Sequence, residues 1–496
     1  MIQHCPVLIV LLPLTAALLC LLFSKFNKNL GSWLVIGSIA GSLACSLQVL
    51  HQTLTSGEAI HYWMGNWEPP LGIEFVIDPL RAVMAVLITF ISLMVAVYSK
   101  PFMRKEDWLH IGGYYTLYGL LTVGLCGMVI TGDMFNLYVY LEVMSLSGYG
   151  LIAMGGKKSM LAAFRYMLIG TIGASLYLIS VAYLYALTGT LNMADLGERI
   201  MPYLSSPPFA LAVACLFIGF GIKMALFPLH GWQPDAYNFA HPGSAAFIAG
   251  VMSKVPAYAI IRFFFYIFGV NNPIISTALT VLGILGIGGV LIGSIMALAQ
   301  YDFRRMLAYS SVAQIGYIAI GLAIGNMYGF IGAVLHIINH AFMKSALFLV
   351  IGGIQYRFGE INLYRLGGLN KKMTLSTITV TLAALSMVGI PPTAGFFSKW
   401  YLMLGAYQGG QYFYIVILVT SSLLNAVYFF RILEQMFVQH EASLTEINRH
   451  EGKLGLPPEM AMPILCAGIG ILVLGFYSVD IVDDILKSGL PEVFLR

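Results

Sequence analysis

The chain contains about fourteen apolar runs, each long enough to cross a lipid bilayer as a helix. A bilayer core of roughly 30 Å needs about 20 apolar residues in helical form. The runs are centred near residues 15, 42, 88, 121, 144, 173, 219, 256, 286, 315, 341, 390, 423 and 469. Because 59% of the residues are hydrophobic and only 10% are charged, these runs take up almost the whole chain. We therefore expect an all-α polytopic membrane protein with about 14 transmembrane helices.

The connections between these runs are too short to form a soluble domain with its own core. The longest of them lie around 52–76, 187–207, 355–373 and 435–458. The first run is preceded by only five residues without a basic cluster, and Lys25 and Lys28 follow it. We expect this run to be a retained helix and not a cleaved signal peptide.

The basic residues alternate between the connections, and lysine and arginine stay on the cytoplasmic side of a membrane. Connections after the first, third, fifth, ninth, eleventh and thirteenth runs hold 17 of the 26 basic residues. These are Lys25, Lys28, Lys100, Arg104, Lys105, Lys157, Lys158, Arg165, Arg304, Arg305, Arg357, Arg365, Lys371, Lys372, Arg431, Arg449 and Lys453. The opposite side has Arg81, Arg199, Lys487 and Arg496. Both termini are therefore predicted outside the cytoplasm, and the net charge of +4 gives no reason to propose a nucleic acid as a partner.

Two of the apolar runs are interrupted by proline, and each interruption lies close to a lysine. Residues 221–232 read GIKMALFPLHGW and residues 389–400 read GIPPTAGFFSKW, 168 positions further along. Hydrocarbon offers no water to the backbone groups that a break exposes, so a broken helix persists only inside protein or beside a wet cavity. In secondary transporters, breaks at matching places in two halves indicate the ion path. We predict discontinuous helices at the seventh and twelfth crossings.

The same offset of 168 residues relates other parts of the chain. The dipeptide GY at 148–149 aligns with GY at 316–317. Each copy would hold five crossings, and an odd number of crossings places consecutive copies in opposite orientations. We therefore expect two inverted five-helix repeats within four segments: an N-terminal three-helix segment (1–110), the first repeat (111–268), the second repeat (279–436), and a cytoplasmic loop with the last transmembrane helix (437–496).

The two copies differ at the positions that carry charge. Glu142 aligns with Ser310, and Lys254 aligns with Ser422. The two halves should therefore not do identical jobs.

Five basic residues fall inside predicted crossings, where a charge costs several kcal/mol by estimates that range from roughly 3 to above 10. They are Lys223, Lys254, Arg262, Lys344 and Lys399. Glu142, His336 and His340 also lie in apolar context. His336, His340 and Lys344 are spaced i, i+4 and i+8, so they share one helix face over about 12 Å. This spacing predicts a short polar ladder along one helix.

Each of these residues also has a purely structural interpretation. Arg262 lies toward the end of its crossing, where its side chain can reach the interface as an anchor, whereas Lys254 lies too deep for that. His336 alone could be a satisfied interior histidine, but two ionisable neighbours on its face favour a proton relay. The remaining acids near helix ends, Asp78, Asp133 and Asp235, are expected to cap helices.

Six motifs in this order resemble one known family. YLEVMSLSGYGLIA, GIKMALFPLHGWQPDAY, GVMSKVPAYAIIRF, LAYSSVAQIGY, HIINHAFMKSALF and GIPPTAGFFSKW resemble the antiporter-like subunits shared by respiratory complex I, membrane-bound hydrogenases and Mrp cation/proton antiporters. The segment WMGNWEPPLGIEFVIDPLRAVM and an ending soon after the fourteenth run resemble the D subunit of Mrp antiporters in particular. Some relatives have glutamate where this chain has Lys399, which argues against that branch only.

The resemblance implies a role for each buried ionisable residue. Glu142 would pair with Lys223, Lys254 would lie in the eighth crossing, His336, His340 and Lys344 would form the central ladder, and Lys399 would be the terminal exchange residue. A carboxylate beside a buried lysine favours its charged form, so opening and closing the Glu142–Lys223 contact would change the proton affinity of Lys223. The resemblance also implies other subunits of a hetero-oligomeric complex, protons and probably Na⁺ as the transported ions, contact with membrane lipids, and a location in a prokaryotic cytoplasmic membrane.

These observations favour a transporter subunit and not an enzyme, and they leave alternatives within the family open. The main prediction is a proton-translocating subunit of a multisubunit Na⁺/H⁺ antiporter, and the alternative is a proton-pumping subunit of a redox complex. The six cysteines are scattered singly, and no metal, flavin, iron–sulfur or quinone motif is recognisable, so we expect no cofactor. An enzyme acting on lipid-linked substrates would place acids and histidines in interfacial loops, and a purely structural subunit would lack the buried lysines. Because few carboxylates lie within crossings, we expect Na⁺ to be handled at an interface or in another subunit.

Overall fold

The structure is a computed structural model that describes residues 2–359, 362–438 and 455–494. It is 82% helix and 3% strand, which confirms the all-α class. The basic residues Arg449, Lys453 and Arg496, which contributed to the predicted orientation, lie outside the described residues.

Within the described residues, sixteen helices carry the predicted crossings, and twelve of them are long and apolar enough to span a membrane alone. In chain order they are α1 (Cys5–Phe26), α2 (Lys28–Ser56), α3 (Pro79–Met103), α4 (Trp108–Ile130), α5 (Met134–Ala153), α6 (Lys157–Thr188), α7 (Pro207–Met224), α8 (Gln233–Phe239), α9 (Pro242–Ile267), α10 (Pro273–Leu298), α11 (Phe303–Ala323), α12 (Met327–Phe358), α13 (Thr374–Val388), α14 (Ala394–Gln408), α15 (Tyr412–Phe437) and α16 (Pro458–Phe476). The four exceptions are α5, α8, α13 and α14. Helix α5 and the α13–α14 pair complete the predicted set of fourteen crossings.

Both predicted helix breaks are present. Helix α7 stops at Met224, where Ala225 adopts a left-handed backbone with φ of 61°, and α8 resumes at Gln233. Helix α13 stops at Val388, followed by Gly389 with φ of 93°, and α14 resumes at Ala394. Proline lacks the backbone N–H that would continue a helix and clashes with the preceding turn, so the prolines inside both segments account for the interruptions.

The interior of the protein is built around three helices. In their most apolar windows, α9 is 100% buried, α12 is 94% buried and α11 is 89% buried, whereas α1, α2 and α15 are only 33–39% buried. Polar side chains on the three interior helices therefore face protein and not lipid. The peripheral helices present apolar side chains outward, as a bilayer requires.

The structure contains one element that the sequence did not predict, a β-hairpin inside the 52–76 connection. Strands β1 (Ile60–Trp63) and β2 (Glu74–Ile77) pair antiparallel, with Ile60 opposite Ile77. The buried Glu74 carboxylate accepts a hydrogen bond from Asn192 Nδ2 at 2.7 Å and lies 3.0 Å from His61 Nδ1. The hairpin thus ties the 52–76 connection to the 187–207 connection.

The expected helix caps are present for two of the three acids. Asp78 accepts a hydrogen bond from the backbone N–H of Arg81 at 2.9 Å, and Asp133 accepts one from that of Asn136 at 2.6 Å. The prediction for Asp235 is wrong, because this residue lies inside the first turn of α8 and its carboxylate pairs with Arg165 at 3.2 Å. A sequence position near a break does not distinguish the capping residue from the first helical turn.

Candidate functional site

Lys223 lies at the end of α7, beside the first break, and its side chain is held by hydroxyl groups of α5. Its Nζ donates to Ser145 Oγ at 2.6 Å and to Tyr149 Oη at 3.2 Å, and it lies 5.6 Å from the centroid of the Tyr149 ring. The residue is 1% exposed. Among the described residues, neutral oxygen acceptors hold this buried amine and no carboxylate is in direct contact with it.

Glu142 lies one turn before Ser145 on the same helix, α5. Among the described residues, however, Glu142 and Lys223 do not form a direct ion pair, because the ammonium group is turned toward Ser145 and Tyr149. The structure therefore places Glu142 on the helix whose hydroxyl groups hold Lys223, and the expected Glu142–Lys223 pair stays a prediction.

Lys254 occupies the middle of helix α9, whose most apolar window is fully buried. It follows a π-helical segment (Ile248–Met252), and its Nζ donates to the carbonyl oxygen of Ala249. A π-helical turn leaves carbonyl groups outside the regular hydrogen-bond pattern, which gives the lysine an acceptor within its own helix. The π-helical segment before Lys254 packs against α12, the helix on which the ladder is predicted.

His336 and His340 form the first part of that ladder, as their spacing predicts. His336 Nδ1 lies 3.0 Å from Ser398 Oγ, and its Nε2 lies 2.9 Å from Gln314 Oε1. The two imidazole rings are nearly parallel, with centroids 6.0 Å apart and an interplanar angle of 13°. Neither ring nitrogen of His340 has a hydrogen-bond partner among the described residues, although the side chain is completely buried.

Lys344 completes the ladder one turn further along α12. Its Nζ donates to the carbonyl oxygen of Leu307 at 2.7 Å and to Ser310 Oγ at 2.9 Å, and the residue is 0% exposed. Ser310 is the residue that aligns with Glu142 in the repeat. The second half therefore places a neutral hydroxyl against a lysine at the position where the first half has a carboxylate.

Lys399 lies on α14, and its side chain contacts the end of α13 at the second break. Its Nζ donates to the carbonyl oxygens of Met387 at 2.8 Å and Val388 at 3.0 Å, and to Ser422 Oγ at 3.0 Å. The last carbonyl groups of a helix have no intrahelical partner, so the end of α13 supplies two ready acceptors. The ammonium also lies 4.9 Å from the centroid of the Tyr317 ring. Tyr317 and Tyr149 are related by the 168-residue repeat, and each faces a lysine.

Arg262 lies in a separate cluster of charged side chains, and its anchoring role at the membrane interface stays a prediction. Its Nη1 lies 2.7 Å from Asp78 Oδ2, and Arg81 approaches the same carboxylate at 3.7 Å. Burial alone would raise the pKa of Asp78, but the two guanidinium groups hold that pKa below its usual value. The cluster joins the end of α9 to the start of α3.

Several contact residues were not singled out from the sequence. They are Ser145, Gln314, Ser398 and the backbone carbonyls at the end of α13. Serine and glutamine are common in helices, so nothing in the sequence distinguished them. The repeat did carry a signal for Tyr149, Tyr317, Ser310 and Ser422, because all four occupy aligned positions. Within the described residues no group of three or more His, Cys, Asp or Glu side chains could hold a metal ion.

Comparisons with known proteins show the family of this chain. A family model described as the transmembrane part of NADH:quinone oxidoreductase and Mrp antiporters matches residues 131–425, and a model of the N-terminus of complex I chain 5 matches residues 63–110. The N subunit of NADH-quinone oxidoreductase from Desulforudis audaxviator is 45% identical over 99% of both chains. The D subunit of the Na(+)/H(+) antiporter from Alkalihalophilus pseudofirmus is 31% identical over 99% of this chain and 98% of its own.

A solved structure supports the fold independently. A chain of the membrane-bound sulfane sulfur reductase, an archaeal respiratory membrane complex, superimposes with a TM-score of 0.90 at 28% identity, covering 99% of this chain and 98% of that one. The similarity to the Mrp-type D subunit is confirmed, and the complex I branch is represented at higher identity. Since a family model covers more than half of the chain and relatives above 30% identity span almost all of it, the chain belongs to the NADH:quinone oxidoreductase/Mrp antiporter family of membrane subunits.

Proposed function

We propose that this chain moves protons across a prokaryotic cytoplasmic membrane as one subunit of a multisubunit complex. The residues proposed to carry the protons are Glu142, Lys223, Lys254, His336, His340, Lys344 and Lys399. The observation that carries the proposal is the state of the four lysines: they are at most 5% exposed, and none forms an ion pair among the described residues. Burying a charge without a counter-ion is costly, so a purely structural role does not explain them.

Neutral acceptors around a lysine suit proton exchange. Hydroxyl and carbonyl oxygens hold an ammonium group by hydrogen bonds, but they do not fix its charge as a direct carboxylate contact would. In the proposed sequence, protons pass from Lys223 through Lys254 to the histidine ladder and on to Lys399. Movement of Glu142 toward Lys223 would favour the protonated lysine, and movement away would favour its release.

Two driving forces are candidates, and each is favoured by a relative. The likeness to the D subunit of a Na(+)/H(+) antiporter supports exchange of protons against Na⁺, which is our first proposal. The likeness to the N subunit of NADH-quinone oxidoreductase and to a respiratory sulfur reductase supports a redox-driven pump whose electron transfer takes place in partner subunits. In either case this chain supplies the proton path. Under the first proposal, Na⁺ is handled at a subunit interface or in a partner.

The test uses everted vesicles with the complete native complex in an antiporter-deficient host. A preset pH gradient is followed on addition of Na⁺ and, separately, of reductant. Gradient dissipation that depends on Na⁺ and disappears with Lys223→Ala supports antiport through this subunit. Proton uptake that depends on reductant and disappears with the same variant supports the redox alternative. Unchanged proton movement in an intact Lys223→Ala complex would contradict the proposed path.

The orientation remains a prediction that belongs to the same proposal. The distribution of lysine and arginine places both termini outside the cytoplasm. Labelling of an added terminal cysteine by an impermeant maleimide in intact cells tests this, and labelling only after lysis would contradict it.

A further inference from the structure

A basic cleft lies outside the proposed proton path, where four helices meet at the face predicted to be cytoplasmic. Its walls come from α2, the end of α3, α4 and the start of α16, and it encloses about 340 Å³. Four charged residues line it: Lys28, Lys100, Arg104 and Glu459. With three cations against one carboxylate, the lining has an excess of positive charge.

The three cations differ in whether their N–H groups already have a hydrogen-bond or ion-pair partner. Arg104 pairs with Glu459, and Lys28 Nζ donates to the carbonyl oxygen of Glu106 at 3.2 Å. The ammonium of Lys100 lies 3.3 Å from the centroid of the Trp33 ring, and it donates no hydrogen bond to any described residue. A lysine has three N–H donors, so Lys100 presents unused donors at the edge of the cleft. An anionic oxygen ligand is the chemical partner that these donors lack.

The surroundings of the cleft indicate where such an anion comes from. Apolar side chains at the starts of α2 and α4 and at the end of α1 are exposed: Leu30 is 45% exposed, Trp33 54%, Leu109 56% and Phe26 77%. In a membrane these groups contact acyl chains, and tryptophan is typical of the headgroup level. Basic pockets between transmembrane helices on the cytoplasmic side bind the head groups of anionic lipids.

We propose that this cleft binds the phosphate of one anionic phospholipid from the cytoplasmic leaflet, with Lys100 and Lys28 facing the phosphate and the acyl chains lying along Trp33 and Leu30. Asn29 also lines the cleft at the start of α2, where the helix dipole favours negative charge. The cleft joins α2, α4 and α16 to the end of α3. A bound lipid would therefore brace the N-terminal segment against the last crossing.

The first experiment measures lipid retained by the complete complex purified in mild detergent, with phosphatidylglycerol and phosphatidylcholine as probes. We expect Lys100→Gln to weaken phosphatidylglycerol retention about fivefold, because one basic residue near a charged headgroup contributes on the order of 1 kcal/mol. Lys100→Arg keeps the charge and should retain the lipid. Lys25→Gln is the matched control, since Lys25 lies in the last turn of α1 and does not line the cleft. Equal retention by wild type and Lys100→Gln would overturn the proposal.

A second experiment identifies the occupant without removing a charge. A photoreactive benzoylphenylalanine in place of Asn29 should yield an adduct with the mass of phosphatidylglycerol in native membranes. An adduct with a partner subunit would show that protein occupies the cleft, and displacement of the lipid by inorganic phosphate alone would show a simple anion site. Either result overturns the proposal, and neither depends on proton transport.

Discussion

The contact between Ser145 and Lys223 offers the sharpest structural test, because the same helix contains a matched control. Ser145 Oγ accepts a hydrogen bond from Lys223 Nζ at 2.6 Å and also bonds to the carbonyl of Leu141. Ser147 is buried to a similar extent, at 2% against 0% exposed, and bonds in the same way to the carbonyl of Val143, but it has no contact with a lysine among the described residues. Replacing each serine by alanine therefore removes the same atoms, and only one replacement affects Lys223.

The expected size of the effect follows from the two acceptors that hold the ammonium. Ser145→Ala leaves only Tyr149 Oη, at 3.2 Å. A hydrogen bond to a charged group contributes about 1.5–3 kcal/mol, and each 1.36 kcal/mol corresponds to a factor of ten in a rate. We expect proton movement through the assembled complex to slow by about tenfold to hundredfold in Ser145→Ala, and to change by less than about twofold in Ser147→Ala.

The assay is the initial rate of pH-gradient dissipation in everted vesicles, normalised to the amount of assembled complex. Thermal unfolding of both purified variants provides the stability control. Equal rates for Ser145→Ala and wild type would refute the argument that this hydroxyl tunes Lys223. A similar loss in Ser147→Ala would show that the helix tolerates neither change and that the lysine contact is not the cause.

Three further outcomes are expected. Lys399→Arg keeps a positive charge that cannot deprotonate, so transport should fall more than tenfold in an assembled complex, and normal transport would make Lys399 structural. Gly389→Ala adds a Cβ about 3.0 Å from the Lys399 side chain, at a position with φ of 93°. We expect it to destabilise the complex by about 1–3 kcal/mol and to slow transport, whereas Gly37→Ala, a control with open space around it, should do neither. Equal thermal unfolding of the two variants would contradict this expectation. Burial and the positive charge of Arg304 lower the pKa of His241 to about 3, below its unfolded value of about 6.5, so its contribution to stability is present above pH 6.5 and is lost as the pH falls. Between pH 7 and pH 5, the free energy of unfolding measured with denaturant should fall by about 2 kcal/mol less in His241→Asn than in wild type. An identical pH dependence of the two proteins would contradict the assigned pKa.

The sequence was informative wherever membrane physics leaves few options. Apolar runs of sufficient length predicted the crossings, and prolines inside two of them predicted the breaks at Met224 and Val388. Helical periodicity predicted that His336, His340 and Lys344 share one face. The sequence failed to predict the hairpin, since two four-residue strands in a connection leave no periodic pattern long enough to recognise.

The partners of the lysines were harder to predict than the lysines themselves. An intramembrane charge is conspicuous in a sequence because it is costly. The serine or carbonyl oxygen that accepts its hydrogen bond has no distinguishing feature in the sequence. Lys399 shows this best: two of its three acceptors are backbone carbonyls freed by the end of α13. That contact depends on how α13 and α14 fold against each other, which spacing alone does not reveal. The absence of a direct Glu142–Lys223 ion pair among the described residues is likewise a matter of side-chain direction.

The central claim is a continuous proton path that joins the two halves, and Lys254 is its most exacting test. This lysine lies on α9, a helix that packs against α7, which carries Lys223, and against α12, which carries the ladder. Among the described residues its ammonium bonds only to a carbonyl of its own helix. Lys254→Met keeps the length and apolar packing of the side chain but carries no exchangeable proton. The measurement is proton flux through the reconstituted complete complex under its native driving force, with subunit content verified. We predict that Lys254→Met abolishes the flux, and wild-type flux in an intact variant complex would contradict the path.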